Sequence, residues 1–322
     1  MSEQISQQEA ALLLRQGEDI LVLCHEKPDG DTIGSGTALC AALAGLGKRV
    51  ALACSDPIPD KYRYMGFERF LYRNFTPKMI VAVDVADAAL LGNRLGEYKD
   101  QVDLCIDHHG SNRAYAKKCW VEGGLSATCE MIYRLVRELG CEMTTQIAAC
   151  CYTGISTDTG CFRYSSVTPA THRIAAEILE FGVDGADINR RMFECKSRSR
   201  LAVELAVLST IEYYCEGKCA VITVTRDILE QCGAVESELE GIPPIPKQIE
   251  GVEVGITIRE REDCCRISLR TGETLDASAV CALFGGGGHI RASGCTIPGT
   301  PAQAKAALIA AVEGLLSNRE QD

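Results

Sequence analysis

ILVLCHEKPDGD, residues 20–31, decides how the first half of the chain is read. Its first five residues are apolar and uncharged, the length and texture of a strand buried on both faces in a parallel sheet. Polarity then switches at once, because His25, Asp29 and Asp31 follow within seven residues. In an open α/β sheet the ground just past the carboxyl end of a strand is where ligands bind. Pro-Asp-Gly is also an ordinary surface turn, so this segment alone decides little about chemistry.

Working outward, RVALA (49–53), MIVAV (79–83) and VDLCI (102–106) repeat the apolar run. The intervals Thr37–Gly47 and Ala86–Leu95 are long enough for crossover helices, the signature of a parallel sheet. Further helices are expected over Ser126–Leu139, Thr144–Ile155 and Pro169–Phe181, and the opening MSEQISQQEAALLLRQGED reads as an amphipathic helix. Residues 1–192 are therefore expected to form an α/β domain with helices on both faces of a parallel sheet. Residues 193–212 read as a linker helix. Residues 213–322 change texture: a hairpin over Tyr213–Thr225, strands at Val252–Arg259 and Arg266–Arg270, and helices at Ala277–Phe284 and Ala302–Leu316 predict a smaller mixed α/β domain. The active site is expected in the cleft between the two.

The 322 residues are 46% hydrophobic and 24% charged, an ordinary globular balance. No apolar run approaches the roughly 20 residues that span a bilayer, which argues against a transporter or receptor. The amino terminus lacks the basic start and apolar middle of a secretory signal, so a cytoplasmic location is expected. The 18 cysteines are dispersed, many in apolar patterns such as Cys24, Cys105, Cys150 and Cys151, and read as reduced, buried thiols. Cys215 and Cys219 have no second pair to complete a zinc site, and Gly217 between them fits a hairpin turn. The net charge of −11 argues against gripping long duplex nucleic acid, which needs a basic stripe. It suits a small, highly charged ligand met locally by metal ions and a few basic side chains.

Three more polar clusters follow apolar runs. Asp84 closes MIVAV, where it fits a metal ligand and a helix cap about equally. Asp107-His108-His109-Gly110 closes VDLCI; two adjacent histidines point in different directions, so one can ligate a metal while the other faces substrate. Thr157-Asp158-Thr159-Gly160 ends a helical run and reads otherwise as a polar turn. Together, two His and four Asp at one predicted sheet edge make a hard oxygen and imidazole set suited to Mn²⁺ or Mg²⁺. Two such ions can share a bridging water and stabilise an in-line displacement at phosphorus.

In the second half, FGGGGHIRASG (284–294) offers Gly286, Gly287 and Gly288, whose backbone N–H groups can approach a phosphate closely, with His289 or Arg291 as further donors. It is not a Walker loop, since no Gly-Lys-Ser/Thr follows, and its other reading is a flexible loop. Arg266 and Arg270 share a strand face, where they read equally as phosphate clamps and as solvated side chains. His172, in THRIAAEIL, reads as structural.

The order H-x-x-P-D-G-D, an Asp after an apolar strand, D-H-H, S-T-D-T-G, S-L-R and G-G-G-G-H-x-x-A-x-G, running from His25 to Gly294, resembles the DHH/DHHA1 phosphoesterases. Within that family the chain resembles the bifunctional oligoribonuclease and pAp phosphatase branch more than the larger RecJ exonucleases. The resemblance implies that His25, Asp29 and Asp84 hold one divalent cation and that Asp31, Asp84, His108 and Asp158 hold another. Mn²⁺ is the expected ion, with Mg²⁺ or Co²⁺ as substitutes. Asp107 would orient an imidazole and His109 would face the scissile phosphate, while Arg270 and His289 would take the far phosphate or terminal nucleotide. Two departures bear on substrate preference: Thr271 stands where the family has Ser after S-L-R, and Ser293 where it has Ala.

The expected function is hydrolysis of short oligoribonucleotides to nucleoside 5′-monophosphates and of pAp to AMP, with the oligonucleotide and pAp as the partners, no membrane, and a homodimer left open. A phosphodiesterase for cyclic dinucleotides or their linear products uses the same site. A family II inorganic pyrophosphatase shares the first four clusters but lacks the GGGGH segment, and a non-catalytic nucleotide sensor should have lost metal ligands, none of which is missing.

Overall fold

The computed structural model describes residues 2–72, 76–239 and 241–319, apart from the side chains of residues 237 and 317–319. The outermost expected bounds, Met1 and Asp322, lie outside the described residues. The chain divides after Cys195 into two compact units.

The first unit runs β1 (Glu3–Gln4), α1 (Gln7–Gln16), β2 (Ile20–Leu23), α2 (Gly30–Gly45), β3 (Val50–Ala53), β4 (Met79–Val83), β5 (Leu104–Asp107), β6 (Lys118–Val121), α3 (Thr128–Glu138), α4 (Thr145–Asp158), α5 (Pro169–Leu179) and α6 (Gly185–Asn189). Its sheet has the order β1-β6-β5-β4-β2-β3 with every pairing parallel. The four strands expected from apolar runs are all present. Two short strands, β1 and β6, extend one edge; the two residues of β1 carry no apolar run, and KCWV is flanked by charge.

Alternation along β2 divides the sheet into two faces. Ile20 and Val22 join the large core made with α1 to α5, and Leu21 and Leu23 join the smaller core of the other face. That smaller face lacks the α-helix expected over Ala86–Leu95. Asp87 caps a 3₁₀ turn at Ala88–Leu91, and Gly92 ends it against Ser55, whose hydroxyl binds the Leu91 carbonyl at 2.5 Å. A second 3₁₀ turn follows at Gly96–Tyr98.

Helix starts follow their capping residues. Ser6 and Glu9 form a capping box on α1, and Thr144 and Thr168 cap α4 and α5. Asp29 caps α2, accepting from the Asp31 and Thr32 amides at 3.0 Å each. Helix α2 is buried almost throughout and packs closely on α4. Gly154 permits that approach, since a Cβ there would collide with Asp31 Oδ1 and Cys129 Sγ.

The expected linker helix is not continuous. Residues 190–194 extend α6 as one π-helical turn, the chain straightens at Cys195, and Ser197 caps a new helix, α7 (Arg198–Leu208), which belongs to the second unit. There follow β7 (Glu212–Tyr214), β8 (Cys219–Val224), α8 (Arg226–Gln231), β9 (Val254–Glu260), β10 (Cys264–Thr271), α9 (Ala277–Ala282), β11 (Gly287–His289), β12 (Ala292–Pro298) and α10 (Pro301–Arg319). The sheet order is β11-β12-β10-β9-β8-β7, with β8 and β9 parallel and the other neighbours antiparallel. Helices α9 and α10 cover one face, and α7 with Leu239 and Ile242 covers β8 on the other. No helix among the described residues is long and apolar enough to cross a membrane.

Candidate metal centre

The polar residues singled out in the first unit gather at the carboxyl edge of its sheet. β2 ends into His25, and Asp29 and Asp31 begin α2. β4 ends into Asp84, held in the left-handed region at φ 59° and fixed by its amide donating to the Ile106 carbonyl. For a residue other than glycine that backbone is uncommon, and here it turns a carboxylate inward at the end of a buried strand. β5 ends with Asp107 and leads into His108 and His109, and Asp158 is the last residue of α4.

Asp84, only 3% exposed, lies at the centre. His25 Nε2 is 3.7 Å from its Oδ2, and His108 Nε2 is 3.7 Å from its Oδ1. On one side His25 Nε2 also approaches Asp29 at 3.6 Å; on the other His108 Nε2 approaches Asp158 at 3.2 Å. Three donor groups result among the described residues, His25–Asp29–Asp84, Asp84–His108–His109 and Asp31–His108–Asp158, and the ligand atoms in each lie within 4.8 Å of one another.

The hydrogen bonds set the imidazoles for this arrangement. His25 Nδ1 meets the Glu26 carbonyl at 2.7 Å and His108 Nδ1 meets the Leu125 carbonyl at 3.0 Å. A carbonyl only accepts, so each Nδ1 carries a proton, and it is each Nε2 that faces the cluster and would offer its lone pair to a cation in exchange for its own proton. His109 differs: its Nδ1 bonds Asp107 Oδ1 at 2.7 Å, so that nitrogen is not available to an ion. Asp107 is fully buried and takes Asn112 Nδ2 on its other oxygen at 2.7 Å. His109 is left 40% exposed with Nε2 unclaimed by Asp107.

Asp31 has an additional task. α3 starts at Ala127 without a side-chain cap, and Asp31 fills that place from α2, accepting from the Thr128 amide at 2.6 Å and the Cys129 amide at 2.9 Å. The Thr128 hydroxyl then donates to Asp84 at 3.0 Å. Each carboxylate oxygen has a second lone pair, so these bonds leave Asp31 able to ligate. Thr128, Cys129 and Asn112 were not legible as site residues. The first two contribute chiefly backbone amides, and the missing cap of α3 is the one sequence feature that points to them.

Charge balance tests the fit to cations. Burial opposes protonation of the two inner imidazoles, yet their carboxylate neighbours raise His25 to about 11, through Asp29 and Asp84, and His108 to about 10, through Asp158, Asp31 and Asp84. Burial pushes Asp31 well up, with Cys129, Asp84 and Asp158 adding to it, and burial and neighbouring acids also raise Asp158. These carboxylates crowd one another in a site that positive charge relieves. His108 Nε2 is moreover buried with no hydrogen-bond partner, Asp158 lying near it without hydrogen-bond geometry. An imidazole nitrogen so placed among carboxylates fits divalent cations with mixed oxygen and nitrogen preference.

In the second unit the glycine segment is an edge hairpin and not the flexible loop of its other reading. Gly285, at φ 70°, ends α9; its amide and that of Gly286 are taken by the Ala282 and Cys281 carbonyls, so Gly286 has no free N–H to offer a phosphate. Gly287, Gly288 and His289 form β11 and pair with Gly294, Ser293 and Ala292. Arg291, expected to bind substrate, spends Nη1 on the Gly272 and Leu275 carbonyls and pins the turn. His289 is exposed, and Arg270 and Ser268 lie on the same face of β10.

Residues 19–155 match the DHH family, N-terminal domain, and residues 219–318 match the DHHA1 domain. The bifunctional oligoribonuclease and PAP phosphatase NrnA of Thermus thermophilus is 34% identical over 286 residues, 87% of this chain and 84% of the relative. The protein of the same name from Bacillus subtilis is 24% identical over 87% of this chain and 90% of its own length. Among solved structures, an exopolyphosphatase-related protein from Bacteroides fragilis superposes with a TM-score of 0.89 at 26% identity, covering 97% of this chain and 96% of that one.

Proposed function

Because this chain belongs to the DHH family and carries a DHHA1 domain in its second unit, we propose that it hydrolyses short oligoribonucleotides to nucleoside 5′-monophosphates and removes the 3′-phosphate of pAp, using two divalent cations, Mn²⁺ first. The observation that carries this reading is Asp84, set between two groups of His and Asp ligand atoms with His109 and Asp107 alongside. The name of the Thermus relative supplies the substrate class.

His25, Asp29 and Asp84 would hold one ion, and Asp31, Asp84, His108 and Asp158 the other. Bound there, such a pair supplies Lewis-acid polarisation of the phosphoryl group and activation of water. The protein's own part is positioning and proton transfer. The Glu26 and Leu125 carbonyls fix the ligating tautomers, and the α3 amides hold Asp31 in register. Asp107 keeps the proton of His109 on Nδ1 and raises its pKa, so that the exposed ring can donate from Nε2 to the leaving oxygen. In the DHHA1 domain Arg270 and His289 would take the substrate's other phosphate, with Gly287 and Gly288 as bare backbone beside them. We place the activity in the cytoplasm, a reading supported by eighteen cysteines that are all free thiols.

The test is hydrolysis of pAp, a labelled RNA dinucleotide and pentanucleotide, cyclic di-AMP and pyrophosphate, each with Mn²⁺ and with EDTA, beside Asp84→Ala. Mononucleotide release from the RNAs and AMP from pAp, lost with EDTA and in the variant, is expected. Turnover of cyclic di-AMP or pyrophosphate in their place would overturn the substrate assignment.

A further inference from the structure

The face of the second sheet that α9 and α10 leave, open over β10 and β12, is a comb with two basic rows, only one of which the reading above uses. On β9, β10 and β12 the apolar residues Ile256, Ile258, Ile267, Leu269, Cys295 and Ile297 face the core with α9 and α10. Their neighbours therefore point the other way. Strand register sorts these into rows. Arg270 lies opposite Ala292, which pairs with His289. Ser268 lies opposite Gly294, which pairs with Gly287. Arg266 lies between Arg259 and Thr296. The first row is the phosphate site already proposed, the second is nearly bare backbone, and the third places two guanidiniums and a hydroxyl side by side.

The third row is unsatisfied as it stands. Like charges directly opposite on neighbouring strands are destabilising. Glu236 answers Arg259 at 3.0 Å and also pairs with Arg261, yet Arg259 Nε stays buried with no partner. Arg266 is exposed, and among the described residues no carboxylate pairs with it. Thr296 is exposed beside it. Arg266 and Thr296 are the exposed donors of this row, and the positive charge of Arg259, 14% exposed, lies behind them, so an anion is favoured here. Arg266 and Arg270 are four residues apart on one strand, about 13 Å at the usual rise. That is farther than the two phosphates of one nucleotide reach, and Ser268, Gly294 and Gly287 leave a flat floor between the rows.

We propose that Arg266 and Thr296, backed by the charge of Arg259, form a second phosphate subsite for single-stranded oligonucleotide, reached only by chains of three or more nucleotides. This rests on the phosphoesterase reading and deepens it: Arg270 and His289 serve every substrate, and the Arg266 row distinguishes long from short. A charged contact of this kind is worth about tenfold in affinity.

The test uses the Mn²⁺-loaded full chain as wild type, Arg266→Glu and Arg266→Lys, with 5′-phosphorylated RNA dinucleotide and pentanucleotide. The ratio of kcat/KM for pentanucleotide over dinucleotide should fall about tenfold in Arg266→Glu and stay near wild type in Arg266→Lys. In parallel, fluorescence anisotropy with hydrolysis-resistant phosphorothioate versions should show the pentanucleotide binding more tightly to wild type. Its logarithmic salt slope should drop by about one in Arg266→Glu. An equal change on both substrates, no change on either, or equal binding of the two lengths by wild type overturns the subsite. Absence of any turnover with length-dependent binding intact would sink the phosphoesterase reading and leave the subsite standing.

Discussion

The two units concentrate opposite charges, and each does so at a cost. The first packs Asp31, Asp84, Asp107 and Asp158 at one sheet edge, three of them buried, where burial and mutual repulsion raise Asp31 and Asp158. The second sets Arg266 opposite Arg259 and on the same strand face as Arg270, with Glu236 paired to Arg259. Folding alone favours neither arrangement, because like charges brought together destabilise. Each makes sense against a charged ligand: the acids suit cations that act on a phosphoryl group, and the arginines suit phosphates.

The comparison predicts that changes in the first unit lower kcat on all substrates, whereas changes in the second act on binding and on preference among substrates. The largest effect is expected from Asp84→Ala, which should lower hydrolysis of pAp and of RNA alike by at least about a thousandfold, since its two oxygens lie 3.7 Å from His25 Nε2 on one side and 3.7 Å from His108 Nε2 on the other. Initial rates on both substrates check this, and a loss confined to one would break the division of labour. Asp107→Asn should lower kcat by roughly a hundredfold with KM little changed, because the His109 proton is no longer held on Nδ1. Asn112→Ala, which removes one of the bonds that orient Asp107, should cost about tenfold in kcat. Arg270→Ala should instead raise KM by about tenfold and spare kcat, as loss of a phosphate contact does.

Metal removal should act on stability, and on the first unit more than the second. Ions held at a hundred times their Kd stabilise by about 2.7 kcal/mol, so EDTA should lower the calorimetric transition of the first unit by a few degrees. The stripped protein should also become pH-sensitive. His25 and His108 are raised from 6.5 to about 11 and about 10, so their ion pairs contribute fully below pH 6.5 and are lost as pH climbs through the folded values. Melting of the EDTA-treated protein should therefore fall between pH 7 and 10 more than that of the loaded protein.

The sequence made three strand ends legible because ILVLC, MIVAV and VDLCI each switch at once from an apolar run to His or Asp. Asp84 was visible on that ground alone, although its left-handed backbone was not. Asp31 looked like one more loop carboxylate, yet it also caps a helix about a hundred residues away, a link that only tertiary structure creates. The glycine segment misled in the opposite sense: four glycines suggested a loop, but pairing with β12 makes three residues of it an edge strand, and Gly286 is spent on α9. Strands β1 and β6 were invisible because two to four residues carry too little pattern, and the sheet, not propensity, orders them. The missing helix over Ala86–Leu95 has the same lesson, since Ser55 and Gly92 fix a single 3₁₀ turn there.

The most direct test of the account is the number of ions bound. Equilibrium dialysis of the full chain against Mn²⁺, with metal counted by mass spectrometry, should give two ions per wild-type chain and neither ion retained at the same free concentration by Asp84→Ala. One ion in the wild type, or two in the variant, would contradict a centre built around Asp84.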